Sequence, residues 1–302
     1  GLAMALVAGL EEFGQTGEIV NADALAIYRS LDIGTAKPSL QDRKRVKHHL
    51  VDILDPDEKF SAGLVARMAR AALGDIAAAG ARAFVVGGSG LYLRALFEGL
   101  VEVPEIPEEI RQSLRQQHEN DGLEGLFEKL ERCDPEMAAR LERADSQRIL
   151  RALEVFAATG EPLSVWQKKI PVTTRLPVTK LGLTLDRAIL YDRRESRVIR
   201  MVDSGWLEEV EALLESSGRS ASDPPAAFQA IGYRELARHL SGEWTLQEAI
   251  DRIIIATRQY AKRQQTWFRK EPDVTWVDAT KLDEIVPDIV SALLLDSRVS
   301  EV

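Results

Sequence analysis

One cysteine and four histidines are the only thiol and imidazole side chains in the 302 residues. A lone Cys133 cannot close an internal disulfide. One thiol with so few imidazoles, two of them adjacent as His48 and His49, also argues against a structural zinc site. No apolar run approaches the roughly 20 residues needed to cross a bilayer, and the opening residues lack the basic region, apolar stretch and small-residue cleavage site of a secretory leader. These absences predict a cytoplasmic protein. A net charge of -9 excludes a protein that coats nucleic acid indiscriminately, while leaving room for a local basic face. Internal repeats and low-complexity tracts are missing too. So is any G-x-x-x-x-G-K-[ST] loop, the Gly-rich cradle for phosphates.

What remains is ample for folding: 45% hydrophobic and 29% charged residues suit one large domain or two ordinary ones. Leu2, Ala3, Leu6, Val7 and Leu10 recur at helical spacing before Gly14 and Gly17, so the chain opens inside a helix. Ile19 to Ala22 reads as a short strand ending in Asp23. A second apolar segment runs from Val51 to Leu54, and a helix follows from about Ser61, a ready cap, to Ala79. Ala83 to Val86 followed by Gly87-Gly88-Ser89-Gly90 predicts a buried parallel strand turning tightly into a helix, where such sheets put their chemistry. Helical pattern alone fills Pro104 to Gln167. Strand character returns at Val178 to Leu185, and helices follow at about Arg187 to Gly205, Leu207 to Ser216, Ala226 to Leu240 and Leu246 to Lys270. A last strand, Val274 to Val277, completes the sheet, and Ser216 to Pro225 is a loop.

Two features stay open on composition alone. Arg258, Lys262, Arg263, Arg269 and Lys270 share a segment with Tyr260, Trp267 and Phe268. This is either the solvated side of an amphipathic helix, or cations for phosphates beside rings for stacking, as RNA contact requires. Second, a helix opening at Gly1 leaves orphan backbone N–H groups and has no strand to feed it. The expectation is a strand and phosphate loop upstream of this sequence, the alternative being a relative that lacks the loop.

The stretch Glu18-Ile19-Val20-Asn21-Ala22-Asp23, followed by Ile27-Tyr28-Arg29 and Leu31-Asp32-Ile33-Gly34-Thr35-Ala36-Lys37-Pro38, resembles the most recognisable block of the bacterial tRNA dimethylallyltransferases, also called tRNA isopentenyltransferases. Four further blocks fall in that family's order. They are Val85 to Tyr92, Gln147 to Glu154, Ile231 to Glu235, and Arg258 to Arg269, so the resemblance covers nearly the whole chain. It implies an α/β, P-loop-NTPase-like parallel sheet flanked by helices, with a catalytic core over residues 1–103 and 178–302. It also implies an all-helical insertion over residues 104–177 that binds the tRNA anticodon arm. The implied reaction moves a dimethylallyl group from dimethylallyl diphosphate to N6 of the adenosine just 3′ of the anticodon, with Mg2+ bound and diphosphate released, in a monomer.

Particular residues take roles under that resemblance. An exocyclic amine is a poor nucleophile until its proton has an acceptor, which suits a carboxylate at a strand's C-terminal end. Asp23 is the candidate base, although alone it reads as a cap or turn residue. Ser89, where the family usually has Thr, offers a hydroxyl to the adenine or the carbon donor, although alone Gly-Gly-Ser-Gly reads as a structural turn. A leaving diphosphate gathers charge as its C–O bond breaks, so fixed cations nearby favour the transition state. Arg197 matches the family's diphosphate-facing arginine. Arg193 lies one turn before it, where a surface ion-pair lattice is an equal reading, and Lys37 is the third diphosphate candidate.

To present N6, the base must leave the anticodon stack. Asp23, Ala24, Leu25, Ala26 and Ser89 are assigned around the flipped base, and Arg111, Gln147, Arg148, Ile149, Leu150 and Arg151 to the anticodon arm. Gln229, Ala230, Ile231, Gly232, Tyr233 and Arg234, with Lys262, Arg263, Gln264, Gln265, Thr266, Trp267, Phe268 and Arg269, supply the rest of the tRNA surface. No metal ligand is assigned, and His48 and His49 are given no role.

The chain departs from the family at several positions. Ala24 stands where Ser is common, Ala26 near where Gln or Leu is, and Gln229 where Arg is frequent; Arg143-Ala144-Asp145-Ser146 replaces His-Pro-Asn-Asp. Rival readings are an adenylate isopentenyltransferase, which should lack the insertion and the Gln-Arg and Lys-Arg-Gln blocks, and a P-loop kinase, which needs the absent loop and a second acidic Mg2+ ligand. A non-catalytic tRNA-binding relative is the third.

Overall fold

The computed structural model describes residues 1–101, 103–169 and 176–295. The chain divides into two compact units, one of Gly1–Phe97 with Leu176–Val302 and one of Glu98–Arg175.

The first unit begins with α1 (Leu2–Glu11), whose Leu6, Val7 and Leu10 are buried. Then come β1 (Gly17–Asn21), α2 (Leu40–Arg45), the two-residue β2 (His48–His49), α3 (Ala62–Ala78), β3 (Arg82–Val86) and α4 (Gly90–Phe97). Ser61 caps α3 by accepting the Leu64 N–H. The three strands run parallel in the order β2-β1-β3, with Ile19 in register between His48 and Phe84. The strand expected from the apolar segment at Val51 to Leu54 is displaced to His48–His49. Leu50 and Asp52 take φ of 59° and 57°, which ends extended pairing, and Leu54 keeps only an isolated bridge to Tyr28. Nor is β3 buried as expected: it is the edge of its sheet among the described residues, and Val86 is exposed.

The second unit is all helical, with α5 (Glu108–Cys133), α6 (Pro135–Ala138), α7 (Ser146–Thr159) and α8 (Leu163–Trp166). Gly122, with φ 70°, interrupts α5 where Asp121-Gly122 punctuates the sequence. Leu114, Leu126, Phe127 and Leu130 of α5 close a core with Ile149 and Leu153 of α7. The fully buried Asp134 carboxylate accepts from Met137 N (3.0 Å) and Ser164 N (2.9 Å), so α6 and α8 are pinned through one desolvated charge that has its donors.

The chain then returns to the first unit with β4 (Lys180–Thr184), α9 (Arg187–Asp203), α10 (Trp206–Ser217), α11 (Tyr233–Leu240), α12 (Leu246–Phe268), β5 (Val274–Asp278) and α13 (Leu282–Leu295). β4 and β5 pair in parallel, but among the described residues they form a sheet of their own instead of completing the first. What links Leu181 of β4 to Phe84 of β3 is an apolar cluster around Leu6, Leu10 and Val290. The helix expected from Ala226 to Leu240 is a 3-10 turn (Ala226–Gln229) and α11, parted at Gly232, whose φ of 95° no right-handed helix continues. Parallel strands flanked by helices, with an all-helical insertion, are the α/β architecture expected. No helix among the described residues is long and apolar enough to cross a membrane.

Candidate active site

Two strand ends build the site. The Ala22 N–H donates to the Val86 carbonyl at 2.7 Å, so β1 and β3 stay paired up to the point where Asp23 and the Gly87–Gly90 turn leave the sheet. Their C-terminal ends form the rim where open α/β sheets bind ligands. The Asn21 side chain fixes this exit: its amide donates to the carbonyls of Leu50 (2.9 Å) and Asp23 (3.1 Å), and its oxygen accepts from Asp23 N (3.0 Å). One Asp23 carboxylate oxygen accepts the Leu25 N–H at 2.8 Å in an Asx turn, so the turn reading of this residue and a chemical one are compatible.

The turn after β3 is held from α12. Gln264 Nε2 donates to the Gly88 carbonyl at 3.0 Å. A Cβ on Gly88 would lie 2.2 Å from that nitrogen, and a Cβ on Gly90 2.1 Å from Trp267 Nε1, so only glycine lets the turn seat against α12. The Ser89 carbonyl accepts from Tyr92 N (3.0 Å) and Leu93 N (3.1 Å), starting α4. Arg94 lies over the Trp267 ring, 5.2 Å from its centroid.

Around these groups stand rings. Tyr28 and Phe60 meet edge to face at 5.5 Å, and Phe60 and Tyr92 lie 5.8 Å apart. Together with Ala24, Leu25, Ala227 and Gln229 they line an open cleft of about 230 Å³. Burial, then the proximity of Tyr28, Asp23 and Tyr260, pushes the Tyr92 phenol up to about 12. The Tyr260 phenol is also raised, by burial first and then by the Asp23 charge, while hydrogen bonds from Ser89 and Gln264 pull it back. Asp23, Tyr92 and Tyr260 thus lie near enough to influence one another, with the Tyr260 ring itself exposed.

The Leu31–Pro38 loop is held from beneath. Glu209 of α10 accepts from Asp32 N (3.0 Å), Ile33 N (2.8 Å) and the Tyr233 hydroxyl (2.5 Å), and Trp206 packs against both Gly34 and Gly232. The Lys37 side chain is 2% exposed, paired with Asp32 and Asp52 and hydrogen-bonded to Asp52 and the Tyr28 carbonyl. Its assignment to diphosphate is therefore corrected: Lys37 is a strut of the loop.

Residues 26–271 match the sequence model of the IPP transferase family. The chain belongs to that family. It is 47% identical over 276 residues to a tRNA dimethylallyltransferase of Geobacter metallireducens, covering 91% of this chain and 88% of that one. Among solved structures it is similar to the full-length tRNA isopentenylpyrophosphate transferase of Bacillus halodurans, with 33% identity, a TM-score of 0.67, and coverage of 100% of this chain and 96% of that one. It is also similar to a eukaryotic dimethylallyltransferase acting on tRNA, with 26% identity, a TM-score of 0.77, and coverage of 99% and 76%.

Orientation divides the residues that the family's blocks singled out in this chain. On α12, Lys262, Arg263, Gln265, Thr266 and Arg269 face solvent, Phe268 is half-buried, and Gln264 and Trp267 turn inward to the Gly87–Gly90 turn. Ala24 and Leu25 line the cleft, but Ala26 is core. In the segment 229–234, Gln229 and Arg234 are exposed and Ile231 is half-buried. Ala230 is buried but lines the cleft, while Gly232 and Tyr233 are buried away from it, so their assignment to the tRNA surface is corrected to scaffold. Arg234 is bonded to the buried Glu235 at 2.6 Å. On α7, Gln147, Arg148 and Arg151 are exposed and Leu150 half-buried, whereas Ile149 is fully buried and cannot touch RNA; Arg111 pairs with Glu108 at 3.4 Å. Arg193 and Arg197 are exposed on α9 and carry no ion pair among the described residues.

Sequence reasoning passed over Phe60 and Glu209, gave no role to Tyr28 and Tyr92, and read Tyr260 only as a ring of the basic segment. The last three sit inside quoted blocks, a signal that was present. Among the described residues no three His, Cys, Asp or Glu side chains gather as a metal site. A Mg2+ ion here would be held chiefly by diphosphate oxygens and water, as Mg2+ commonly is.

Proposed function

We propose that this chain transfers a dimethylallyl group from dimethylallyl diphosphate to N6 of the adenosine just 3′ of the anticodon in tRNA. The N6 lone pair forms a bond to C1 of the allyl group as the C1–O bond breaks, and that electron pair leaves on diphosphate. The N6 proton passes to the Asp23 carboxylate, one oxygen of which is engaged by Leu25 and the other open to accept. Ser89 holds the amine, and the ring-lined cleft takes the flipped base, whose π face suits Tyr28, Phe60 and Tyr92. Arg197, with Arg193, meets the charge growing on the leaving group. Mg2+, when bound, neutralises diphosphate charge. The outward face of α12, and Gln147, Arg148, Arg151 and Arg111 of the helical insertion, contact the tRNA. The protein acts as a monomer in the cytoplasm.

The observation that carries this reading is the meeting of Asp23 and the Ser89 turn at two adjacent strand ends beside an aromatic cleft. Its test is mass spectrometry of an unmodified tRNA anticodon arm incubated with the full-length protein, dimethylallyl diphosphate and Mg2+. A product nucleoside with dimethylallyl on N6 is expected. Prenylation of free adenine nucleotides with the RNA untouched, or no transfer while the RNA is still bound, would overturn it.

A further inference from the structure

We propose that Asn21 is a positioning residue for Asp23, and that the bent segment from Leu50 to Leu54 is the scaffold against which it holds that carboxylate. The inference rests on the proposed reaction for its consequence, but on the turn's own hydrogen bonds for its geometry.

Asn21 ends β1, and its half-buried side chain is spent on backbone. The amide donates to the carbonyls of Leu50 (2.9 Å) and Asp23 (3.1 Å), and its oxygen accepts the Asp23 N–H (3.0 Å). One side chain thus grips both backbone polar groups of Asp23 and ties them to Leu50. An aspartate here would bring no donor, and a serine only one. A second grip lies on the far side of the turn. Ile53 N and Leu54 N donate to the Ile27 carbonyl (2.9 and 3.1 Å), and Arg29 N donates to the Leu54 carbonyl (2.8 Å). The Asp23 turn is therefore strung between two anchors, Leu50 and Ile53, on one neighbouring segment. That segment is bent where Leu50 and Asp52 take φ of 59° and 57°, a conformation costly for residues with a Cβ and kept only where the surroundings over-determine it. Here Lys37 and Arg43 hold the bend through the Asp52 carboxylate, at 2.5 Å each.

These bonds determine where the Asp23 carboxylate can be. Asn21 fixes the backbone of Asp23, and the Leu25 N–H at 2.8 Å fixes one carboxylate oxygen, so the second oxygen is committed to one direction. A general base works only within hydrogen-bond reach of the proton it takes, and a small displacement costs rate steeply. Without Asn21 the Asp23 peptide is free to turn, the bond to Leu25 loosens, and the carboxylate leaves the position from which it meets N6. Asn21 thus acts through Asp23 without touching the substrate.

The test combines rate, binding and amide exchange in the full-length protein. Asn21→Leu, which keeps a branched shape but no polar atom, is expected to lower the single-turnover rate at saturating substrates by about tenfold to a hundredfold, the scale of a small misplacement, with tRNA Kd unchanged. Without substrate, hydrogen exchange should quicken at the Leu25 amide, whose acceptor is the Asp23 carboxylate, while the Ala22 amide, bonded to the Val86 carbonyl, stays protected. Asn21→Ser, with one donor and an acceptor, should fall between the parent and Asn21→Leu in rate and in Leu25 exchange, and it carries the test by itself if Asn21→Leu loses protection at Ala22. In an Asp23→Asn background neither substitution should cost anything further. The inference is overturned if the variants transfer at the parent's rate, if their losses multiply with that of Asp23→Asn, or if they weaken only tRNA Kd and leave exchange at Leu25 unchanged. A parent protein that prenylates no RNA defeats the proposed reaction instead, and the Leu25 exchange then decides by itself whether Asn21 holds the Asp23 turn.

Discussion

Replacing Glu209, a residue in none of the family's motif blocks, should loosen the most recognisable block of the sequence from a distance of 177 residues. Its carboxylate accepts two loop amides at 3.0 and 2.8 Å and the Tyr233 hydroxyl at 2.5 Å, while Gly34 N at 3.5 Å adds little. In Glu209→Ala the Asp32 and Ile33 amides regain water in part, at a net cost of about 1 kcal/mol each. The Tyr233 side chain is fully buried, so its hydroxyl loses a partner that water cannot replace, at about 1 to 3 kcal/mol. The expected loss is about 3 to 5 kcal/mol, or a fall in Tm of about 10 °C for a chain of this size. Urea denaturation followed by tryptophan fluorescence measures it. Tyr233→Phe removes the donor together with its need, so Glu209→Ala should cost about 1 to 3 kcal/mol less in that background. A Glu209→Ala protein within about 0.5 kcal/mol of its parent, or strict additivity with Tyr233→Phe, would refute the reasoning.

Further expectations concern the strut and the turn. Lys37→Met should destabilise the fold by about 1 to 3 kcal/mol, because the Tyr28 carbonyl loses its lysine donor and Asp52 keeps only Arg43, yet leave KM for dimethylallyl diphosphate unchanged; a raised KM would restore Lys37 to the diphosphate site. Burial alone would push the Asp52 carboxyl up, but the bonds and charges of Lys37 and Arg43 outweigh it and hold it below the usual carboxylate range. A depressed folded value contributes stability that is fully present above the unfolded value of about 4 and is lost as pH falls through the lower folded value. Asp52→Asn should therefore flatten the acid limb of the stability curve below about pH 4, and an unchanged limb would contradict the assignment. At the turn, alanine at Gly87, Gly90 and Gly88 should cost activity in that descending order. The obstacles are the Ala22 backbone oxygen at 2.2 Å, the rigid Trp267 indole at 2.1 Å and the flexible end of Gln264 at 2.2 Å. Any other ranking of kcat would contradict the geometry.

Much of this was legible in the sequence, and the exceptions share a cause. β1, α3, β3 and α12 announce themselves through local periodicity and caps, and Asp23 through its place at a strand end. The second strand was misplaced because nothing local in Leu50 or Asp52 announces a positive φ. Lys37 was misread because a lysine in a loop of a family block has the same letter whether it binds phosphate or is walled in by Asp32 and Asp52, which only the folded chain brings together. Ile149, Tyr233 and Trp267 were swept into the RNA surface because a block match carries residues without their orientation. The 3.6-residue period already set Gln264 and Trp267 apart from Lys262 and Arg269. Glu209 was invisible for the opposite reason: on α10 it is an ordinary glutamate of an amphipathic helix, and its partners lie far away in sequence.

The measurement that tests the central claim most directly is the single-turnover rate of Asp23→Asn beside its parent, with tRNA affinity measured on the same samples. Asparagine keeps the size and the oxygen that accepts the Leu25 N–H while removing the proton acceptor. The account expects tRNA binding within about twofold of the parent and a rate lower by about a hundredfold or more, the scale of general-base catalysis. A variant that binds and transfers at the parent's rate would contradict it, and Asp23 would then be only the turn residue that its bond to Leu25 makes it.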